Sequence, residues 1–371
     1  MSEPSPALGR LVASENNISD LLAFLFEKDP APLIRILGLP DGVYWCRREA
    51  PAAKGRLDLI VYRAELPVAV LEIKGASREH GDQLDRYQAW AAKQNPEAAL
   101  FYCSPDRDDT PRKPWRAVGL AELFEAWQSS SDPHATWLAG EITNLLRSWD
   151  KQAEGIIGHA NGWYVPDLVT RRIGRQLDGV LRHDHPGDGQ AKATRTTVGN
   201  PMFLAWRRYP GGSGHAWIGV DVRCKGRGNQ QAAWEFRPCV EAEEGDQPET
   251  AMIEAHDLAC ALYPAMLHSA IKKMLDDRGL SDLAKSLSPT GTDGLVRAPD
   301  AAILAGWRSA VQAGTQPRRH PVFRNDWNRR LATSFVLHVD KVDRTQLAEL
   351  TLAVLDHLVK YAAPDSPPRA G

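Results

Sequence analysis

GRLDLIVYRAELPVAVLEIK, residues 55–74, is the stretch on which the fold turns. Residues 57–62 and 68–74 are rich in aliphatic and β-branched side chains, the composition of strands, and Pro67 opens the second run. VAVLEIK is almost continuously aliphatic up to its polar end, as suits a strand covered on both faces. Asp58 stands inside the first run, and an acid in an otherwise apolar strand calls for a partner. In the second run Glu72 and Lys74 are two apart, so strand alternation points both side chains to one face. Pairing of the two strands as a hairpin would bring Asp58 toward that face, with two carboxylates and an ammonium within reach of one point.

On the N-terminal side, Ile18, Leu21, Leu22 and Leu25 recur at helical spacing behind Ser14, a suitable N-cap, and Glu15 falls in the first turn. Residues 33–37 extend the helical region to the breaker GLPDG at 38–42, and residues 43–46 read as a short strand. On the C-terminal side, Gly75 and Gly81 flank a loop. Leu84, Tyr87 and Trp90 then recur at helical intervals, and AALFYCS at 98–104 reads as a buried strand. Helix, strand hairpin, strand, helix, strand predicts a mixed α/β core. Gln83 and Tyr87 are four apart and share a face of the helix. A helix near 120–127 and the turn SSSDP at 129–133 close the region.

Phosphodiester hydrolysis needs these residue types. Carboxylate oxygens hold Mg²⁺ while leaving coordination positions for water and phosphate. A lysine beside them orients or activates the water and stabilises charge developing on the phosphate. Base chemistry would require a lysine pKa lowered by burial and by the metal's field. Asp58 followed by Glu72-Ile73-Lys74 resembles the Asp and (D/E)XK halves of the PD-(D/E)XK nuclease motif, with Leu57 in place of a proline that is not a ligand. Glu15 resembles the further acid that many members carry at the start of the first helix. Gln83-Leu84-Asp85-Arg86-Tyr87 resembles the Q-x-x-x-Y motif of the RecB-like branch. The resemblance covers about the first quarter of the chain.

The resemblance implies an α/β fold with a restriction-endonuclease-like mixed sheet flanked by helices, and Mg²⁺-dependent endonucleolytic hydrolysis of DNA, with Mn²⁺ able to substitute. It implies metal on Asp58 and Glu72 with Glu15 assisting, Lys74 positioning or activating the water, and Gln83 and Tyr87 supporting the substrate or the metal ligands. Bacterial defence against foreign DNA, or DNA repair, follows by analogy alone. One such site cuts one strand, so a double-strand break needs a homodimer or sequential nicking. Two other readings stay open: a nuclease regulated by a ligand, and a DNA-binding protein of the same fold that no longer cuts. Intact Asp58, Glu72 and Lys74 argue against the second.

A length of 371 residues exceeds the usual single core and predicts two domains: residues 1–133, an α+β domain at 134–362, and a disordered tail at 363–371. In the second domain helices are predicted at 135–149 and 167–181, a polar loop at 183–199, and a hairpin of 202–209 and 215–224 around PGGSG. A strand at 233–240 follows, then a helical pattern at 249–275 kinked or divided by Pro264, a helix at 299–311, a strand at 331–339 and a helix at 346–361. Basic clusters occur at Arg171, Arg172 and Arg175, at Arg207 and Arg208, at Arg223, Lys225 and Arg227, and from Arg318 to Arg330. Trp206, Trp217, Trp234, Phe323 and Trp327 interleave with them. Phosphate contact with base stacking, and core aromatics with a solvated arginine rim, are both open readings. The domain is expected to recognise DNA, a regulatory ligand or a second subunit.

Composition excludes other classes. A 43% hydrophobic and 25% charged chain is ordinary for a globular protein, and no apolar run or leader-like N-terminus points to a membrane, so a cytoplasmic protein is expected. Five scattered cysteines without C-x-x-C fit a reduced compartment and not structural zinc. His183 and His185 form an H-x-H without a nearby third ligand. No G-x-S-x-G, Walker A or G-x-G-x-x-G motif is present. A net charge of -2 leaves DNA affinity to local basic surfaces and bound cations.

Overall fold

A computed structural model describes residues 6–52, 55–74, 82–106, 112–156, 164–209, 212, 214–225, 233–243, 245–315, 319–326 and 329–363. Gly75, Gly81, Arg227, Arg318, Trp327, most of the PGGSG turn and the tail beyond 363 lie outside the described residues. The chain divides into two compact units, Met1–Ala153 with Gly158–Leu168, and Glu154–Ile157 with Val169–Gly371.

The first unit contains α1 (Pro6–Val12), α2 (Glu15–Lys28), α3 (Ala31–Ile36), β1 (Trp45–Ala52), β2 (Gly55–Arg63), β3 (Leu66–Ile73), α4 (Gln83–Gln94), β4 (Ala99–Ser104), β5 (Arg116–Gly119), α5 (Leu120–Glu125) and α6 (Pro133–Glu154). Its strands lie in the order β1-β2-β3-β4-β5. β1, β2 and β3 pair antiparallel, whereas β3, β4 and β5 pair parallel, so the sheet is mixed and changes sense at β3. β1 runs well beyond the short strand expected at 43–46. Its polar residues are held by pairing to β2 through Trp45↔Tyr62 and Arg48↔Leu59 and by stacking of Trp45 on Tyr62, so apolar content was a poor guide to its length.

Ile60, Val70, Leu84, Tyr87, Ala91, Leu100 and Tyr102 form one core between the sheet and α4. The alternating residues Leu59, Val61, Ala69, Leu71 and Phe101 are equally buried, so the sheet is covered on both faces. Ile18, Leu22, Leu25 and Phe26 are the buried stripe of α2, which packs against β1 and β2. Full burial of each such side chain is worth roughly 1.5–3 kcal/mol. Both ends of α2 are also pinned. Trp127 Nε1 donates to the carbonyls of Leu25 at 3.1 Å and Asp29 at 2.9 Å, adding a second donor to Leu25, which already accepts the Asp29 N–H. Near the N-terminus, Arg48 of β1 pairs with Asp20 at 2.5 Å and donates to the Asn16 carbonyl at 3.0 Å. These contacts fix where Glu15 sits.

The second unit contains most of α7 (Tyr164–Asp184), then β6 (Gly189–Arg195), β7 (Pro201–Arg207), β8 (Ala216–Lys225), β9 (Ala233–Ala242), α8 (Pro248–Met266), α9 (His268–Asp277), α10 (Ser281–Ala284), β10 (Leu287–Pro289), α11 (Ala301–Gln312), β11 (Arg324–Asp326), β12 (Arg330–Ala332), β13 (Phe335–Leu337) and α12 (Arg344–Ala362). Its sheet runs β10-β13-β9-β8-β7-β6, with β12 also on β9 and β11 on β12. Phe203, Ala205, Ile218, Val220, Val222, Phe236 and Val240 form a fully buried face, against which α8 and α12 pack. The mixed α/β first unit and the α+β second unit agree with the fold class expected.

Differences from expectation in the second unit have local causes. The loop predicted at 183–199 contains β6, whose inward residues Gly189, Ala191 and Ala193 are too small to give an apolar strand signal. Smallness is required there: a Cβ on Gly174 of α7 would lie 2.9 Å from the Ala193 nitrogen. The strand expected at 331–339 is two strands, both on β9. They part at Thr333 and Ser334, where Thr333 N–H donates to the carbonyl of Pro238, a residue with no N–H to return to the ladder. Pro264 does not divide its helix where it stands; α8 continues to Met266 and breaks at Leu267, which is extended. Among the described residues, no helix is long and apolar enough to cross a membrane.

Candidate active site

β2 and β3 pair through Leu59↔Leu71 and Ile60↔Val70, and the next positions along the ladder are Asp58 and Glu72. There the ladder ends, while β3 continues on β4 through Glu72↔Tyr102 and Ile73↔Cys103, with Lys74 N–H donating to the Cys103 carbonyl at 2.8 Å. The two strands part at the two acids. Asp58 Oδ2 accepts the Ile73 N–H at 2.7 Å, a side chain taking the place of a strand carbonyl.

Glu72 and Lys74 meet at 2.7 Å between Oε1 and Nζ, with side chains only 1% and 3% exposed. Lys74 Nζ also donates to Gln83 Oε1 at 3.1 Å, Gln83 Nε2 to the Tyr87 hydroxyl at 3.3 Å, and that hydroxyl to the Arg56 carbonyl at 2.8 Å. A continuous chain of donors thus ties the lysine, through one face of α4, to the backbone of β2. Gly55 makes room for it: a Cβ there would lie 2.8 Å from the Tyr87 hydroxyl.

Burial pushes Asp58 up to about 6, against the pull of the Ile73 N–H and the Lys74 ammonium. Burial, and then the charge of Asp58, push Glu72 up to about 8 despite Lys74. Glu15, the first residue of α2, adds repulsion to both carboxyls. For Lys74, burial acts downward, but Glu72, Glu15 and Asp58 together carry it above its ordinary value. Of the two causes expected to lower this lysine, burial is outweighed by the three acidic groups, while the field of a metal is a separate effect. Cys103 lies fully buried beside the acids, its thiol raised by burial and by their charges.

This donor set fits a divalent cation. Glu72 Oε2 is buried without a hydrogen-bond partner, and two desolvated carboxyls side by side are short of positive charge. Among the described residues no three His, Cys, Asp or Glu side chains stand close enough to enclose an ion. Two carboxylates are a donor number that suits a divalent cation which keeps several of its waters.

All six residues singled out from the sequence converge here, five by direct contacts and Glu15 by charge. Of the C-terminal basic clusters, Arg208, Arg223, Arg329 and Arg330 line one depression of the second unit, whereas others are taken up in pairs. Arg171 and Arg172 are buried, Arg172 pairing with Glu154 at 2.8 Å, and Arg207 pairs with Asp356 at 2.8 Å. Trp234 and Phe323 are core, while Trp206 and Trp217 are only partly buried. His183 pairs with Asp184 at 2.7 Å.

Sequence reasoning missed Arg48, which orients α2, and Asp221, a fully buried carboxylate contacted by Arg223 and by Arg330 Nη1 at 2.8 Å. Asp221 could have been found by the signal that marked Asp58, an acid inside an apolar strand, here WIGVDVRC. For Arg48 no such signal exists, because its partners lie on another element.

No curated protein and no solved structure matches the chain significantly. The family profile described as the PD-(D/E)XK nuclease superfamily matches residues 43–162, a segment that includes β2, β3 and α4 and leaves Glu15 outside. Profile and strand geometry thus meet on the same residues, and the N-terminal region of this chain matches the PD-(D/E)XK nuclease superfamily over residues 43–162.

Proposed function

We propose that the chain is a Mg²⁺-dependent DNA endonuclease, with Mn²⁺ able to substitute, acting in the cytoplasm in defence against foreign DNA or in DNA repair. The observation that carries this reading is the pair of desolvated carboxyls, Asp58 and Glu72, set at a parting of strands with a buried ammonium against them. Asp58 and Glu72 would hold the cation, with Glu15 assisting. When bound, such a cation supplies Lewis-acid polarisation of the phosphoryl group and a more acidic water.

The protein's own groups do the rest. Lys74, kept cationic by its neighbours, stabilises charge developing on the phosphoryl oxygens and orients the attacking water by donating to it. Both of these roles use the charged form of the lysine, which its acidic neighbours favour. Gln83 also accepts from the ammonium, and the Tyr87 hydroxyl accepts from Gln83. The nuclease assignment goes to the N-terminal domain, residues 1–133, and recognition of DNA, a ligand or a second subunit to residues 134–362. Double-strand cleavage requires a homodimer or sequential nicking.

The test is cleavage of supercoiled, linear and single-stranded DNA with Mg²⁺ or Mn²⁺ by wild type, Asp58→Ala and Lys74→Ala. Metal-dependent cutting lost in both variants supports the reading. Cutting that survives both means that the site is elsewhere. Absence of cutting by the wild type, with metal-sensitive DNA binding retained, favours a gated or non-cleaving protein.

A further inference from the structure

The face of the second unit's sheet that faces away from α8 and α12 is not apolar. Gln190, Lys192 and Thr194 of β6, Leu204 and Trp206 of β7, and Trp217 and Arg223 of β8 line a depression of about 640 Å³, within the size range of small-ligand sites. Basic residues dominate its lining: Lys192, Arg195, Arg208, Arg223, Arg329 and Arg330. Asp188, Glu241 and Glu243 are the acids among them.

Two features give the depression the character of a built site. Asp221 lies beneath it, fully buried; its Oδ1 accepts Arg223 Nε at 3.0 Å and its Oδ2 accepts Arg330 Nη1 at 2.8 Å. These guanidiniums are held in place before any ligand arrives, which lowers the ordering cost of binding. The second feature is aromatic. Trp206 and Trp217 stand 5.5 Å apart between ring centroids at an interplanar angle of 39°, and Lys192 Nζ lies 5.4 Å from the Trp206 centroid. Gly219 lets Trp217 lie against the sheet, since a Cβ there would come within 2.9 Å of that ring.

We infer that this depression binds a free nucleotide, its base stacked on the Trp206–Trp217 pair and its phosphates held by Lys192, Arg195 and the arginines of the floor. Stacking platforms next to fixed cations are the two halves of nucleotide recognition. The rings are too close to sandwich a base and Lys192 lies over Trp206, so a base entering the depression stacks on Trp217 or displaces the Lys192 ammonium toward the phosphates. A depression of about 640 Å³ is of the size that encloses one small ligand, which favours a single nucleotide over a strand. This site is independent of the nuclease reading and is tested by binding alone.

Full-length protein without divalent cations is titrated with ATP, GTP, CTP and UTP, with inorganic triphosphate and (dT)20 as comparators, by tryptophan fluorescence and calorimetry. The expected result is saturable binding of at least one nucleoside triphosphate, at least about tenfold tighter than inorganic triphosphate. Lys192→Ala and Arg195→Ala, both at exposed positions, each weaken it about tenfold or more, the size of a charge-assisted hydrogen bond lost. Trp217→Leu, with folding checked by circular dichroism, brings the nucleotide down to the affinity of triphosphate. Absence of nucleotide binding at millimolar concentration overturns the inference, as does equal binding of triphosphate, which marks an adventitious anion locus. Tighter binding of (dT)20 than of any nucleotide, lost in Lys192→Ala, overturns it in favour of a strand reader. Nucleotide affinity unchanged in both Lys192→Ala and Arg195→Ala also overturns it.

Discussion

Replacing Lys74 separates two roles that a lysine beside a phosphate can play. Its ammonium sits 2.7 Å from Glu72 and 3.1 Å from Gln83, 3% exposed, and its neighbours hold it above the ordinary lysine value. A unit charge about 4 Å from charge developing on the phosphoryl group contributes about 4 kcal/mol at an effective dielectric of about 20. Each 1.36 kcal/mol is about tenfold in rate, so Lys74→Met should slow strand cleavage by about three orders of magnitude. Measured losses of single preorganised donors, about 10²–10³, agree. Lys74→Arg keeps the charge but cannot give up its proton, and should cut at least about tenfold faster than Lys74→Met. The assay is single-turnover nicking of supercoiled DNA at saturating Mg²⁺, with a thermal melt and a circular-dichroism spectrum of each variant. Equal loss in the arginine and methionine variants, with both folded, would refute the charge role and return proton transfer to the lysine. A methionine variant within threefold of wild type would remove Lys74 from the reaction.

Tyr87→Phe removes the hydroxyl that donates to the Arg56 carbonyl and accepts from Gln83. Urea unfolding should show a loss of about 1–3 kcal/mol for the two buried bonds, and nicking should slow through Gln83 and Lys74; an unchanged rate would show that the chain does not position the lysine. Asp221→Asn leaves Arg223, Arg237 and Arg330 without their central carboxylate, and should destabilise the second unit by at least about 2 kcal/mol, measured by denaturant unfolding at pH 7. Burial alone would raise Asp221, but its arginines hold it at about 2 against an ordinary 3.8. Its contribution is therefore complete above pH 3.8 and is lost as pH falls toward 2, and a wild-type acid titration that lacks this loss would count against the network. His320, held down to about 3 chiefly by burial, accepts the Val322 and Phe323 N–H groups at Nδ1 and stays neutral in the fold. Unfolded, it binds a proton below its ordinary 6.5, so stability falls as pH drops from 6.5 toward 3, by about 2 kcal/mol at pH 5. His320→Phe should flatten that slope in chemical denaturation curves, and an unaltered slope would assign the effect elsewhere.

The sequence alone was enough to name the residues that meet at the candidate site. Asp58 is conspicuous because an acid in an aliphatic strand must be satisfied; Glu72 and Lys74 share a face by a period of two, and Gln83 and Tyr87 by a helical turn. Those periods are local, so they survive without knowledge of the fold. What happens between elements does not. Whether Asp58 faces Glu72 depends on a register set by Leu59↔Leu71, and the place of Glu15 on Arg48 and Trp127, distant in sequence from the helix they pin. The electrostatics of Lys74 are non-local for the same reason: they reflect acidic groups brought together from α2, β2 and β3, a sum that only the assembled structure contains. In the second unit β6 was hidden because packing against Gly174 demands small residues, which carry little strand signal. With it was hidden the open face that separates Trp206 and Trp217 from the core residue Trp234. Composition places tryptophans and arginines near one another along the chain, but their exposure is decided by which side of a sheet its helices cover.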